Sequence, residues 1–288
     1  MKGYDELRNA AAWLDLSSRG KIKLTGEDRA RLLHAMTTNH IQQLTPGAGC
    51  YAFFLNDKGR ILSDANILCR PDYFLLDLEP EAREKIYQHL DHFIIADDVT
   101  LEDATSELAT IAVEGPKAAE VLPAAGAPIP ETEYSTSEWG SRVVARLNST
   151  GSLGFFIFVP LAEKSELVAQ IEAAGAVAAD AEAFRVVRLE HGKPRFGEDI
   201  SERFLAQEAN QPHALHFSKG CYLGQEIVER VRSRGQIHRV LMPLVLDSKT
   251  PPEPGAKLQT RDTKDAEITS AAYSPALDKV VALAYVRT

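Results

Sequence analysis

The segment Asn56-Asp57-Lys58-Gly59 most restricts how this chain can fold. Turn-forming residues ending in glycine join two apolar runs, 51–55 and 60–68, so the runs must double back as a β-hairpin. Antiparallel sheet is therefore expected near the amino end, with helices on one side. Residues 22–24 read as a strand, and Gly26-Glu27-Asp28 opens a helix whose Ala30, Leu32, Leu33 and Met36 face a core. A strand at 73–78 precedes Glu79-Pro80, which starts a helix with Ile86, Leu90, Phe93 and Ile94 at helical spacing. Residues 107–113 form another strand, and Pro116 falls in the first turn of a short helix, where its missing N–H costs nothing.

Residues 124–138, rich in Pro, Ala, Thr and Ser, read as a long connection. Strands at 142–147 and 155–159 and helices at 163–173 and 181–191 then make a second unit. From Arg239 the texture changes to short strands at 241–246, 257–259, 267–273 and 280–286, the spacing of a small all-β barrel. The expected fold class is α+β in three parts, 1–125, 126–237 and 238–288, with the first two free to interleave.

A formal charge of -9 argues against general nucleic-acid binding, which needs a broad cationic surface. One local exception, Arg230, Arg232, Arg234, His238 and Arg239, points to an anionic partner or to a solvated helix flank. Cys50, Cys69 and Cys221 are far apart, with no CxxC and no zinc-finger spacing, which fits a reduced, cytoplasmic compartment and no metal site. Four thiolates usually hold a stable iron–sulfur cluster, and this chain has 3 cysteines. The first residues lack the apolar core of a secretory signal, and no apolar run is long enough for a bilayer. A soluble protein with no membrane partner is expected.

The chemistry concentrates in Lys219-Gly220-Cys221-Tyr222-Leu223-Gly224-Gln225-Glu226. A cysteine on a glycine step, beside a lysine and ahead of an amphipathic helix with Ile227 and Val231 inward, has two neighbours that favour the thiolate. Gln225 and Glu226, in the first helical turn, are placed to orient the thiol or to cap backbone donors. The alternative is a buried cysteine in a tight turn. Cys50 and Cys69 lie in strand-like surroundings and read as core.

Thr37-Thr38-Asn39, the hairpin 56–64, Val113-Glu114-Gly115-Pro116, Arg188-Leu189-Glu190-His191-Gly192 and the Cys221 motif occur in a familiar order. Together they resemble the YgfZ family of folate-binding proteins, relatives of the glycine-cleavage T-protein, an aminomethyltransferase. The resemblance covers nearly the whole chain and is most specific at 219–226. It implies a ring of three small domains around a tetrahydrofolate site, and a role in making or maintaining iron–sulfur enzymes, including those that thiolate tRNA.

The resemblance also assigns residues. Asp64 matches the functional aspartate of the T-protein, and a carboxylate suits the adjacent N–H donors of a pterin. Tyr51 matches an aromatic of the same pocket. Arg188 matches an arginine at the folate and would pair bidentately with a glutamate carboxylate; an ion pair with Glu190 or a neighbour is the alternative. Cys221, partly ionised by Lys219, is the implied working thiol. One departure stands out: a Gly-Glu-Asp-Gly-Phe-Glu pattern of the T-protein is here Gly151-Ser152-Leu153-Gly154-Phe155-Phe156, so pocket carboxylates are expected to be gone. That makes aminomethyl transfer from a lipoyl carrier to tetrahydrofolate the alternative reading. A folate-responsive regulator of tRNA modification is a third. The implied partners are folate, a one-carbon derivative of it, and iron–sulfur client or assembly proteins.

Overall fold

The computed structural model describes residues 1–235 and 237–288. Its hairpin consists of Gly49–Leu55 and Ile61–Cys69, paired with Tyr51 opposite Asn66 and Phe53 opposite Asp64. Gly59 closes the turn at φ 67°, a conformation that favours glycine. The hairpin forms one side of a five-stranded antiparallel sheet that continues through Phe74–Leu78 and Gly20–Thr25 to Thr100–Asp103. Helix Arg83–Phe93 buries Ile86 and Leu90, as its spacing predicts. Phe93, expected inside, is 37% exposed and packs edge-on to His89 and His92 at the helix end.

A second, six-stranded sheet runs in the order Val177–Ala178, Ala12–Asp15, Leu108–Glu114, Gly154–Pro160, Arg142–Ala145 and Thr136–Trp139. A boundary at residue 125 cuts through this sheet, because its strands come from both sides of that point. The pair Ala12–Asp15 with Val177–Ala178 is parallel, which no hairpin can produce. Helix Ala181–Glu190 starts on Asp180, whose side chain accepts from the Ala183 N–H at 2.7 Å. It buries Phe184, Val187 and Arg188.

The third sheet is four-stranded and antiparallel, in the order Arg239–Leu246, Lys279–Arg287, Asp265–Ser274 and Lys257–Gln259. A closed barrel was expected here; among the described residues no pairing joins the two edge strands, so the sheet stays open. One hydrophobic core includes Phe53 and Leu76 of the first sheet, Phe156 of the second, Phe184 of the helix and Leu283 of the third. Each such side chain contributes about 1.5–3 kcal/mol on burial, which welds the three sheets into one body. Among the described residues no helix is long and apolar enough to cross a membrane.

Candidate functional site

Tyr51, Asp64 and Arg188 line one cavity of about 370 Å³, within the range of small-molecule sites. Tyr51 and Asp64 come from the two hairpin strands, on the same face, and the Tyr51 hydroxyl donates to Asp64 Oδ2 at 2.8 Å. Leu14, Leu16, Phe156 and Phe184 supply apolar wall. Asp64 is 7% exposed, and burial, reinforced by nearby Glu79, pushes its carboxyl up to about 6; Tyr51, Arg19 and Lys193 oppose that rise. Burial likewise holds the Tyr51 hydroxyl well above its usual range. Keeping a carboxylate this dry costs stability rather than adding to it.

Of the three positions where the T-protein pattern is acidic, one reaches the cavity, and there it is a phenylalanine; the wall keeps other carboxylates. Phe156 does line the cavity, but Asp64, Glu79 and Glu198 line it too, while Ser152 and Leu153 do not. Buried Glu114, part of the Val113–Pro116 motif, fastens the wall instead: it accepts from the Ser149 N–H at 2.8 Å, the Ser149 hydroxyl at 2.9 Å, the Thr150 N–H at 2.9 Å and the Thr150 hydroxyl.

Arg188 reaches the cavity with its guanidinium already used. Nη1 donates to Asp199 Oδ2 at 2.6 Å and to the Lys193 carbonyl at 2.7 Å, and Nη2 donates to Glu198 Oε2 at 2.6 Å. The expected pairing with a ligand carboxylate is therefore replaced by a buried internal network. Arg19 is equally committed, donating through Nε and Nη2 to Asp77, both at 2.8 Å, and through Nη1 to Glu79. Sequence reasoning missed Lys193, the cavity cation whose ammonium makes no hydrogen bond or ion pair with a described residue. Its one sequence signal is its place just past the glycine that ends an already matched segment.

Cys221 is the exposed member of 3 free cysteines, but it is not among the residues lining the cavity. Thiol and cavity are thus two sites, not one. Lys219, expected to face Cys221, instead donates to the carbonyls of His34, Thr37 and Asn39 at 2.5, 2.5 and 2.7 Å. Three acceptors require the three N–H groups of an ammonium, although burial lowers the Lys219 pKa to about 7. The thiol that feels this charge is Cys50, itself pushed up to about 12 by burial. Cys69 is buried and likewise raised by burial; Cys50 is half-buried rather than fully core.

The motif glycine Gly224 has φ 82°, and a Cβ there would lie 2.6 Å from the Asn56 carbonyl oxygen. The hairpin turn and the thiol segment are therefore pressed together. Helix Gln225–Arg234 buries Val228, while the predicted inner residues Ile227 and Val231 are half-buried, Ile227 against Gly59. Gln225 Oε1 accepts from the Tyr222 N–H at 3.2 Å, so it caps the backbone; Glu226 points to solvent. Asn39 connects the sites: its carbonyl accepts from Lys219, and its Nδ2 donates to the Tyr51 carbonyl at 2.9 Å. Nearby, His34, His40 and His216 stand in a row of edge-to-face rings, centroids 4.6 and 5.1 Å apart. Burial, with Lys219 beside it, lowers His34 to about 4, so the ring is neutral near pH 7. Among the described residues no group of three His, Cys, Asp or Glu side chains could hold a metal ion.

The fold is similar to that of the glycine cleavage system aminomethyltransferase T from Bartonella henselae, whose crystal structure superposes with a TM-score of 0.89 at 22% identity, covering 99% of this chain and 80% of that one. The family profile of the GCVT N-terminal domain matches residues 2–219, and the chain belongs to that family. An aminomethyltransferase of Rubrobacter xylanophilus is 29% identical over 290 residues, 98% of this chain and 78% of that protein. One from Aquifex aeolicus is 28% identical over 286 residues, 97% and 77% of the respective chains. A putative chloroplastic transferase of Arabidopsis thaliana is 26% identical over 276 residues, 93% of this chain and 63% of that protein.

Proposed function

We propose that this chain binds tetrahydrofolate in the Tyr51–Asp64 cavity and assists the assembly or repair of iron–sulfur enzymes, tRNA-modifying ones included, through Cys221. The reading is supported by the coexistence of a dry carboxylate, Asp64, with an exposed thiol outside the cavity. A pterin presents adjacent N–H donors. The Asp64 carboxylate receives one hydrogen bond, from Tyr51, among the described residues, which leaves acceptor capacity for such donors. Phe156 and Phe184 suit the flat ring. Bound tetrahydrofolate would supply a one-carbon carrier; the chain's own part is to seat it, keep water from Asp64 and present Cys221 to a client.

Aminomethyl transfer is the second reading, and the names of the relatives favour it. In that case the cavity does the chemistry and Cys221 is idle. The two readings part on Cys221→Ala. We expect this variant to bind tetrahydrofolate like the parent protein but to restore no iron–sulfur enzyme activity in cells lacking the native factor. Full restoration would remove the thiol from the account. Ammonia release from a loaded lipoyl carrier by the parent protein would then establish aminomethyl transfer.

A further inference from the structure

We propose that Lys193 receives the acidic group of the cavity's ligand, which for tetrahydrofolate is its glutamate carboxylate. The proposal rests on the folate reading above and adds the residue that selects for an anionic tail. Five cationic side chains line the cavity: Arg19, Arg185, Arg188, Lys193 and Arg195. Four of them are neutralised within the protein. Arg19 is held by Asp77 and Glu79, Arg185 by Glu198, Arg188 by Glu198 and Asp199, and Arg195 by Glu79 and Glu81. Lys193 has no carboxylate within ion-pair distance among the described residues.

A desolvated ammonium without a counter-ion is costly, and burial does lower the Lys193 pKa. Such a group persists where a ligand completes it. Asp64 is its counterpart, a lining carboxylate with no cation in contact, and the two are not paired with each other. The cavity thus keeps a carboxylate and an ammonium that feel each other's charge but form no ion pair among the described residues. A ligand with N–H donors at one end and an anion at the other satisfies both at once.

The backbone is arranged to present this cation. Gly192 turns the chain at φ 64° after the helix, the Lys193 N–H donates to the Arg188 carbonyl at 2.9 Å, and Arg188 Nη1 donates to the Lys193 carbonyl at 2.7 Å. Arg188 is therefore a positioning residue. It fixes the root of Lys193 while the four-carbon arm stays free to follow the ligand.

The test is calorimetric titration of the full chain with tetrahydrofolate and with 6-methyltetrahydropterin, which keeps the donor-bearing ring and has no carboxylate. Lys193→Met is expected to weaken tetrahydrofolate binding at least about tenfold, as for a lost charge-assisted hydrogen bond, and to leave 6-methyltetrahydropterin unchanged. Lys193→Arg should keep most of the preference, and added salt should weaken tetrahydrofolate binding to the parent but not to the Met variant. An unchanged tetrahydrofolate affinity, or equal losses for both ligands, overturns the assignment of Lys193 and leaves the folate reading standing. A parent protein that binds neither ligand overturns both. Thermal melts of the two variants confirm that each is folded.

Discussion

The cavity and the thiol segment solve opposite problems. At the cavity, charges are taken out of water: Asp64, Arg19 and Arg188 are all under 9% exposed, and each arginine is matched by carboxylates at once. At the thiol segment the Cys221 side chain stays in solvent, and what is buried is the anchor, the Lys219 ammonium on three carbonyls. Recognition of a small polar ligand needs dry, fixed partners, whereas a thiol that meets another macromolecule needs access. Substitutions at the first region should therefore move folding stability and ligand binding together; at the second they should separate reactivity from stability.

The largest effect is expected at Arg188. Arg188→Met takes the ion-pair partner from buried Asp199, while Glu198 keeps Arg185, and chemical denaturation should show a loss of about 3–5 kcal/mol, as for a buried ion pair broken on one side. A loss near zero would mean that the network is solvated and that the cavity charges are not held out of water.

Asp64 should behave in the reverse sense. Its folded pKa of about 6 lies above the ordinary 3.8 of an aspartate, so between those values the native state holds the proton more tightly than the unfolded chain. Stability from this group falls as pH rises through that window, and the full cost is in place above about pH 6. Asp64→Asn should thus be more stable than the parent at pH 7, by up to roughly 3 kcal/mol, with the gap closing toward pH 4. Tetrahydrofolate binding should be lost in the same variant. Parallel melts at the two pH values check the sign.

Where the two regions touch, Gly224→Ala places a Cβ against the Asn56 carbonyl at a positive φ. A cost of about 1–3 kcal/mol is expected, with faster alkylation of Cys221 as its segment loosens. The smallest stability effect belongs to Cys221→Ala. An exposed side chain should change the melting free energy by less than about 0.5 kcal/mol while removing the reactive thiol altogether, which thiol titration under native conditions will show.

Legibility in the sequence followed the range of the interactions. The hairpin, the helices at 83–93 and 181–190 and the long strands of the third sheet were readable because turn residues and apolar periods act over a few neighbours. The short strands Ala12–Asp15 and Val177–Ala178 were not, being paired with each other across more than 160 residues. Closure of the terminal sheet was over-read for a similar reason: strand spacing records how often the chain turns, not whether the last edge meets the first.

The sequence by itself determined where the chain must bend, which residues are apolar, and that a cysteine sits on a glycine-flanked step before a helix. Only the tertiary structure decided which charges are left over. Arg188 and Lys193 are both cations beside one helix end, yet Glu198 and Asp199 fold back onto the first and leave the second without a partner. Neutralisation depends on distance and burial through space, quantities that composition and spacing do not encode.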